Sequence, residues 1–171
     1  MSRARLAQLV RYYFPDLVYG ANDGIITTFA VVSGVIGAAL SERVILILGF
    51  ANLVADGFSM GASNFLSRRS HADPAERAEV PEASYHAAAT TLGFVTAGLV
   101  PLVAYLAPLP DDDRFPVAIV LTLATLYSVG ASRALVTRLG WFRSGLEMLL
   151  VGALAAAVAY GIGALASTLT G

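Results

Sequence analysis

The chain has 171 residues, the size of one ordinary domain, of which 57% are hydrophobic and only 13% charged, against about a quarter charged in a typical soluble domain. Net charge is −1 and mean hydropathy +0.70, which points to a membrane-embedded chain and removes the basic face that a nucleic-acid partner requires. There is no cysteine, so disulfides, thiolate metal sites and CxxC redox chemistry are excluded.

Residues 1–16 interleave Leu6, Leu9, Val10, Tyr13 and Phe14 with arginines, the pattern of an amphipathic helix lying on a membrane surface. Pro15-Asp16 is expected to interrupt it. The apolar stretch that follows is too long for a signal-peptide core, so residues 17–171 are expected to form one five-helix transmembrane domain. Its spans are predicted at 17–40, 44–66, 86–107, 115–136 and 144–169, each near the 20 or so residues that cross a bilayer. A short loop at 67–85 joins the second and third.

Arginine placement tests this topology. All 11 basic residues are Arg. With the N-terminus in the cytoplasm, Arg3, Arg5, Arg11, Arg68, Arg69, Arg77, Arg133, Arg138 and Arg143 lie inside, and only Arg43 and Arg114 outside. This bias predicts a cytoplasmic N-terminus and an outside C-terminus.

Two carboxylates fall inside the spans. The second span carries about 11 Leu, Ile, Val and Phe, worth roughly −3 to −7 kcal/mol on the insertion scale, of which Asp56 takes back about 3. Asp23 sits about 9 Å into the first span at 1.5 Å per residue, and Met60 about 10 Å from the same surface on the antiparallel second span. The two can therefore lie level. Asn52, Asp56, Met60 and Asn64 recur every four residues on one helix face, and Thr27 follows Asp23 on the other helix. Opposed polar stripes in lipid mean either a pathway or a tight buried interface. The pairs Gly20/Gly24 and Gly57/Gly61 have the spacing that lets helices approach closely, which fits both.

A carboxylate with a thioether suits a transition metal such as Fe²⁺ better than Mg²⁺ or Ca²⁺, which prefer oxygen shells. Metal binding needs the carboxylate deprotonated. Proton and metal would then compete for one site, the minimum for exchange transport.

The stretch Tyr19-Gly20-Ala21-Asn22-Asp23-Gly24-Ile25-Ile26-Thr27-Thr28-Phe29-Ala30 resembles the first-helix signature of the vacuolar iron transporter family. Ala51-Asn52-Leu53-Val54-Ala55-Asp56-Gly57-Phe58-Ser59-Met60-Gly61, continued by Asn64-Phe65-Leu66-Ser67, resembles its second. The last span, from Arg143-Ser144-Gly145 through Gly152 to Tyr160 and Gly163, is similar to the family's final helix. The resemblance implies an all-α protomer of five transmembrane helices working as a homodimer. It implies export of Fe²⁺, often also Mn²⁺, from the cytoplasm in exchange for protons, through a path at the dimer interface, with no permanently bound cofactor. Asp23 and Met60 match the family's core ligands. Asp56 fits the same motif, and Asn22, Thr27, Asn52 and Asn64 are candidates to line the path. Asn64 stands where some members have Glu, and the 67–85 connection is too short for the helical metal-binding domain of larger members. The brevity of the chain suggests a multi-pass protein of the cell (plasma or inner) membrane.

Asp73-Pro74-Ala75-Glu76 in that connection reads as a helix start. Glu76, Glu79 and Glu82, flanked by His71 and His86, could gather metal weakly, although a solvated turn-like helix stopped by Pro81 explains them better. Asp111-Asp112-Asp113 is expected in an outer loop, and Glu147 to pair with Arg143 at i, i+4. No Ser-His-Asp, HExxH or P-loop pattern is present, so neither an enzyme nor an ATP-driven pump is expected. The competing expectations are a non-transporting helix-bundle scaffold and a passive divalent cation channel.

Overall fold

The computed structural model describes residues 3–71, 80–135 and 140–170, with side chains for 11–70, 81–135 and 140–169. The elements are α1 (Arg3–Gly37), α2 (Glu42–His71), α3 (Val80–Gly98), α4 (Val100–Leu106), α5 (Asp111–Ser132) with a 3₁₀ turn (Arg133–Leu135), and α6 (Trp141–Thr170). Five stretches are long and apolar enough to cross a membrane: Arg11–Gly37, Glu42–Ser70, Pro81–Leu106, Asp111–Leu135 and Trp141–Leu169. The third joins α3 to α4 across Leu99. Pro101 lacks the N–H that would continue the ladder there, and Leu102 and Val103 both bond back to the Leu99 carbonyl.

Several local expectations change. α1 runs unbroken through Pro15-Asp16, where an interruption was expected. Pro81 starts a span rather than stopping a loop helix, because a proline in the first helical turn lacks only an N–H that would have been unpaired anyway. Asp111, Asp112 and Asp113 form the first turn of α5, where carboxylates complement the helix dipole. Arg114 beside them pairs with Glu42 at the start of α2 and with Asp111 at 3.0 Å, and donates to the Leu109 carbonyl at 3.2 Å. The Arg143–Glu147 pair forms as expected, at 3.1 Å.

The bundle is assembled on glycines. A Cβ on Gly20 would lie 2.0 Å from the Thr90 carbonyl oxygen, and one on Gly24 2.2 Å from that of Phe94; in return, a Cβ on Gly93 would lie 2.1 Å from that of Leu17. α1 and α3 thus run parallel with their backbones in contact, a separation only glycine permits. Gly57 and Gly61 of α2 face Val95, Phe94 and Thr91, so α2 packs antiparallel on the other flank of α3. The Thr91 hydroxyl donates to the Gly57 carbonyl at 3.1 Å. At the opposite end, Gly37 abuts the Tyr160 carbonyl and Gly163 abuts Gly34, locking α6 onto α1. The paired glycines therefore serve α1–α3 and α2–α3 packing, not α1–α2 packing. The core that results centres on Phe29, Val32, Ile45, Leu53, Phe94 and Leu102.

α1 ends in a Schellman motif. The Ala39 N–H bonds the Ile36 carbonyl (3.0 Å) and the Leu40 N–H that of Val35 (3.1 Å), with Ala39 at φ 54°. Glycine normally occupies that position.

Two stability predictions follow from this packing. Replacing Ala39 by Gly relieves a left-handed strain of roughly 1–2 kcal/mol, less the extra entropy glycine loses on folding. The expected net gain is about 0.5–1 kcal/mol, read from the denaturation midpoint in detergent. Gly24→Ala should destabilise by about 1–3 kcal/mol through overpacking, whereas Gly161→Ala, with nothing within 4 Å of the added Cβ, should be neutral or gain up to about 1 kcal/mol.

Candidate metal pathway between the first two helices

Because Gly20 and Gly24 commit one face of α1 to α3, and Gly57 and Gly61 one face of α2, the remaining polar faces turn toward each other. The Thr27 hydroxyl donates to the Asp23 backbone carbonyl at 2.9 Å and accepts from Asn52 Nδ2 at 3.4 Å. This bond joins the two stripes. Asp23 is half-buried, and Asp56 lies within electrostatic reach of it. Asn22 is half-buried beside Asp23, its Oδ1 enclosed and without a hydrogen-bond partner among the described residues.

Met60 is half-buried and packs against the core cluster. It also lines a cavity of about 700 Å³ with Tyr19, Ser59, Ser63, Asn64, Ser67 and Arg68. Asn52 meets Thr27 and Asn64 meets Asp16, a register that sets Asp56 opposite Asp23 and Met60 opposite Tyr19, one helical turn before Asp23. Asp56 is exposed between Val54 and Phe58, themselves 72% and 74% exposed. Among the described residues no three His, Asp or Glu side chains converge on one point. One chain therefore offers two carboxylates and a thioether in this region.

Nearer the Arg-bearing end lies a buried polar network that sequence reasoning did not assemble. Asp16 receives the His86 ring Nδ1 at 2.6 Å on one oxygen, and Asn64 Nδ2 (2.8 Å) and Arg68 Nη2 (3.1 Å) on the other. Asn64 Nδ2 also approaches the Thr90 hydroxyl at 2.8 Å, and Arg68 Nε donates to Asn64 Oδ1 at 3.0 Å. The network ties α1, α2 and α3 together. Its signal was present as spacing: Asp16 is two turns before Asp23, and Arg68 extends the four-residue recurrence through Asn52, Asp56, Met60 and Asn64. Asn64 thus lines the cavity while holding this network.

The acidic connection fares differently. Glu76 and Glu79, with the Asp73-Pro74 helix start, lie outside the described residues. Glu82 is exposed and accepts from the Tyr12 hydroxyl. His86 is buried on Asp16, turned away from any surface patch with Glu82. The Tyr12 and Tyr13 rings pack against His86 at 4.8 and 4.6 Å between centroids, so this part of the N-terminal segment packs onto the start of α3.

Comparison with known proteins gives a consistent result over most of the chain. A profile described as VIT family matches residues 14–86 and 74–164, in two pieces that overlap over residues 74–86. Vacuolar iron transporter homolog 1 of Arabidopsis thaliana is 30% identical over 165 residues, covering 88% of this chain and 82% of the relative. Vacuolar iron transporter homolog 1 of Oryza sativa subsp. japonica is 32% identical over 162 residues, covering 85% and 70%. The vacuolar iron transporter of Toxoplasma gondii is 43% identical over 61 residues, covering 36% of this chain and 20% of the relative.

Truncating Asp16 to Ala would strip the acceptor shared by Arg68, Asn64 and His86. Leaving buried donors unpaired should cost about 1–3 kcal/mol, seen as a lowered unfolding midpoint in detergent, with a smaller loss for Asp16→Asn.

Proposed function

The chain belongs to the VIT family, and from that premise we propose that it carries Fe²⁺, and also Mn²⁺, out of the cytoplasm in exchange for protons. The observation that carries this reading is the meeting of the α1 and α2 polar faces through Asn52 and Thr27 beside Asp23, with Met60 on the wall of the adjoining cavity. The relatives' names speak of iron transport.

Asp23 and Met60 are the core ligands in this proposal. A hard oxygen and a soft sulfur together favour a transition metal over Mg²⁺ or Ca²⁺. Asp56 adds a second carboxylate near the first, and Asn22, Thr27, Asn52 and Asn64 supply neutral oxygens along the way. Two carboxylates and a thioether make an incomplete shell for resident metal, which is what cargo requires: binding firm enough to enter and weak enough to leave. A proton on the Asp23 carboxylate excludes the metal, so the two are carried alternately.

The working unit in this reading is a homodimer. Asp56 lies exposed on the face of α2 that it shares with Asn52 and Met60, and a carboxylate facing lipid is costly; a second copy packed on α2 covers it and doubles the ligand set. The arginine bias puts the end bearing Arg68 and Arg143 in the cytoplasm. The same orientation exports metal from the cytoplasm in the cell membrane, where we place this chain, or into a vacuole as in the named relatives.

The test is Fe²⁺ flux in proteoliposomes under an imposed pH gradient. Flux should follow the gradient in the native chain and fall to the level of empty vesicles in Asp23→Asn and Met60→Ala, with the dimer retained. Flux that ignores the gradient would indicate a channel. Absence of flux for any divalent ion, together with a weakened dimer in Asp23→Asn, would indicate a scaffold in which the polar stripes only hold helices together.

A further inference from the structure

The buried network at the Arg-bearing end holds more than packing requires. Asp16, 7% exposed, and His86, 1% exposed, make their contact at 2.6 Å through Nδ1. Arg68 and Asn64 also donate to Asp16, which therefore acts as an ionised acceptor, and the shared proton sits on Nδ1. The other ring nitrogen, Nε2, is enclosed and has no hydrogen-bond partner among the described residues. It carries the ring's free lone pair and is the atom of the imidazole at which a further proton can bind. The titratable and charged groups around the ring are Tyr12, Tyr13 and Asp16 from α1, Arg68 from α2, and Glu82 and Tyr85 from α3. Glu82 is engaged by the Tyr12 hydroxyl, so Asp16 is the carboxylate that answers the ring.

Arg68 connects this ring to the cavity. Its side chain is 39% exposed, and it lines the same cavity as Met60. With His86 neutral, the Asp16 charge is matched by Arg68 alone. With a proton on Nε2, the same carboxylate faces two cations. The enclosed imidazolium has nowhere to turn, whereas the guanidinium already borders open space.

We propose that Asp16, His86 and Arg68 form a proton-binding site beside the cavity, in which a proton taken up at His86 Nε2 releases Arg68 from Asp16 and turns its charge on the cavity. The proton comes from water at the Arg-bearing end and returns there, and no bond between heavy atoms is made or broken. In the released state the guanidinium repels a divalent cation approaching Met60, so acid on that side closes the mouth. The gating half rests on the transport reading above; the proton-binding half does not.

The sequence contains two histidines, His71 and His86, so ¹⁵N-imidazole NMR of the full chain in nanodiscs shows two ring systems, with His71→Gln making the assignment. As the medium is taken from alkaline to acid, the His86 ring should pass from Nδ1-protonated to doubly protonated while the fold persists. A ring that keeps a single tautomer throughout overturns the proposal. The second arm measures initial Fe²⁺ uptake in vesicles with the Arg-bearing side outward. Acidifying the medium should slow the native chain by about tenfold more than His86→Gln, the scale of a unit charge acting on a divalent ion across a partly wet cavity. Equal slowing in the two, with the ring shown to protonate, overturns the gate. Arg68→Gln supplies the same comparison if His86→Gln does not fold. Absence of native flux at every pH would count against the transport reading, and the spectra would still decide the proton site.

Discussion

Backbone contact between α1 and α3 is the constraint from which the arrangement follows. Gly20, Gly24 and Gly93 allow two helices to lie so close that a single methyl group would collide with a carbonyl. In lipid there is no hydrophobic force between helices, and close approach of this kind supplies the van der Waals contact that holds them. Once α1 is fixed on α3, its rotation is fixed. Asp23 and Thr27 then have α2 as their neighbour, and Asn52 meets Thr27. The chemistry between the first two helices is therefore positioned by a third that contributes little of it.

The three-helix node of Asp16, Asn64, Arg68, His86 and Thr90 fixes the same geometry from the other side. Glycine contacts set rotation and distance but tolerate sliding along the axis. A carboxylate accepting from two other helices does not, because each hydrogen bond has a length and a direction. Sliding α2 along α3 would break Asn64 from Thr90 and Arg68 from Asp16 together. At the far end, the Glu42–Arg114–Asp111 cluster ties α2 to α5. These side chains are more exposed than Asp16, so their contribution is screened and smaller.

Much of this was legible in the sequence, and what was missed has a common cause. The five crossings follow from apolar length, and the α1–α2 polar stripes from a recurrence of four along Asn52, Asp56, Met60 and Asn64. The Arg143–Glu147 pair follows from the same helical spacing. What periodicity cannot supply is which helix a given face meets. Gly57 and Gly61 carry the same spacing whether they approach α1 or α3, and only the folded chain assigns them to α3. Asp16 was read as an interruption because Pro-Asp resembles a stop, yet the helix passes through it. Its partners come from residues 64, 68 and 86, on two other helices. The α5 aspartates were read as loop because charge suggests solvent, though the first turn of a helix satisfies both.

The contact of α1 with α6 bears on how the chain is made. Gly34 and Gly37 of the first crossing pack on Tyr160 and Gly163 of the last, with nearly the whole chain synthesised in between. While the ribosome works, α1 can settle on α3, but the face it keeps for α6 stays against lipid until the final crossing enters the bilayer. Completion of the bundle is thus a late event in biogenesis, after most of the chain has left the insertion machinery. A polypeptide that stops short of α6 would expose the far half of α1, a glycine-notched surface open to adventitious helices, and would be a natural substrate for membrane quality control.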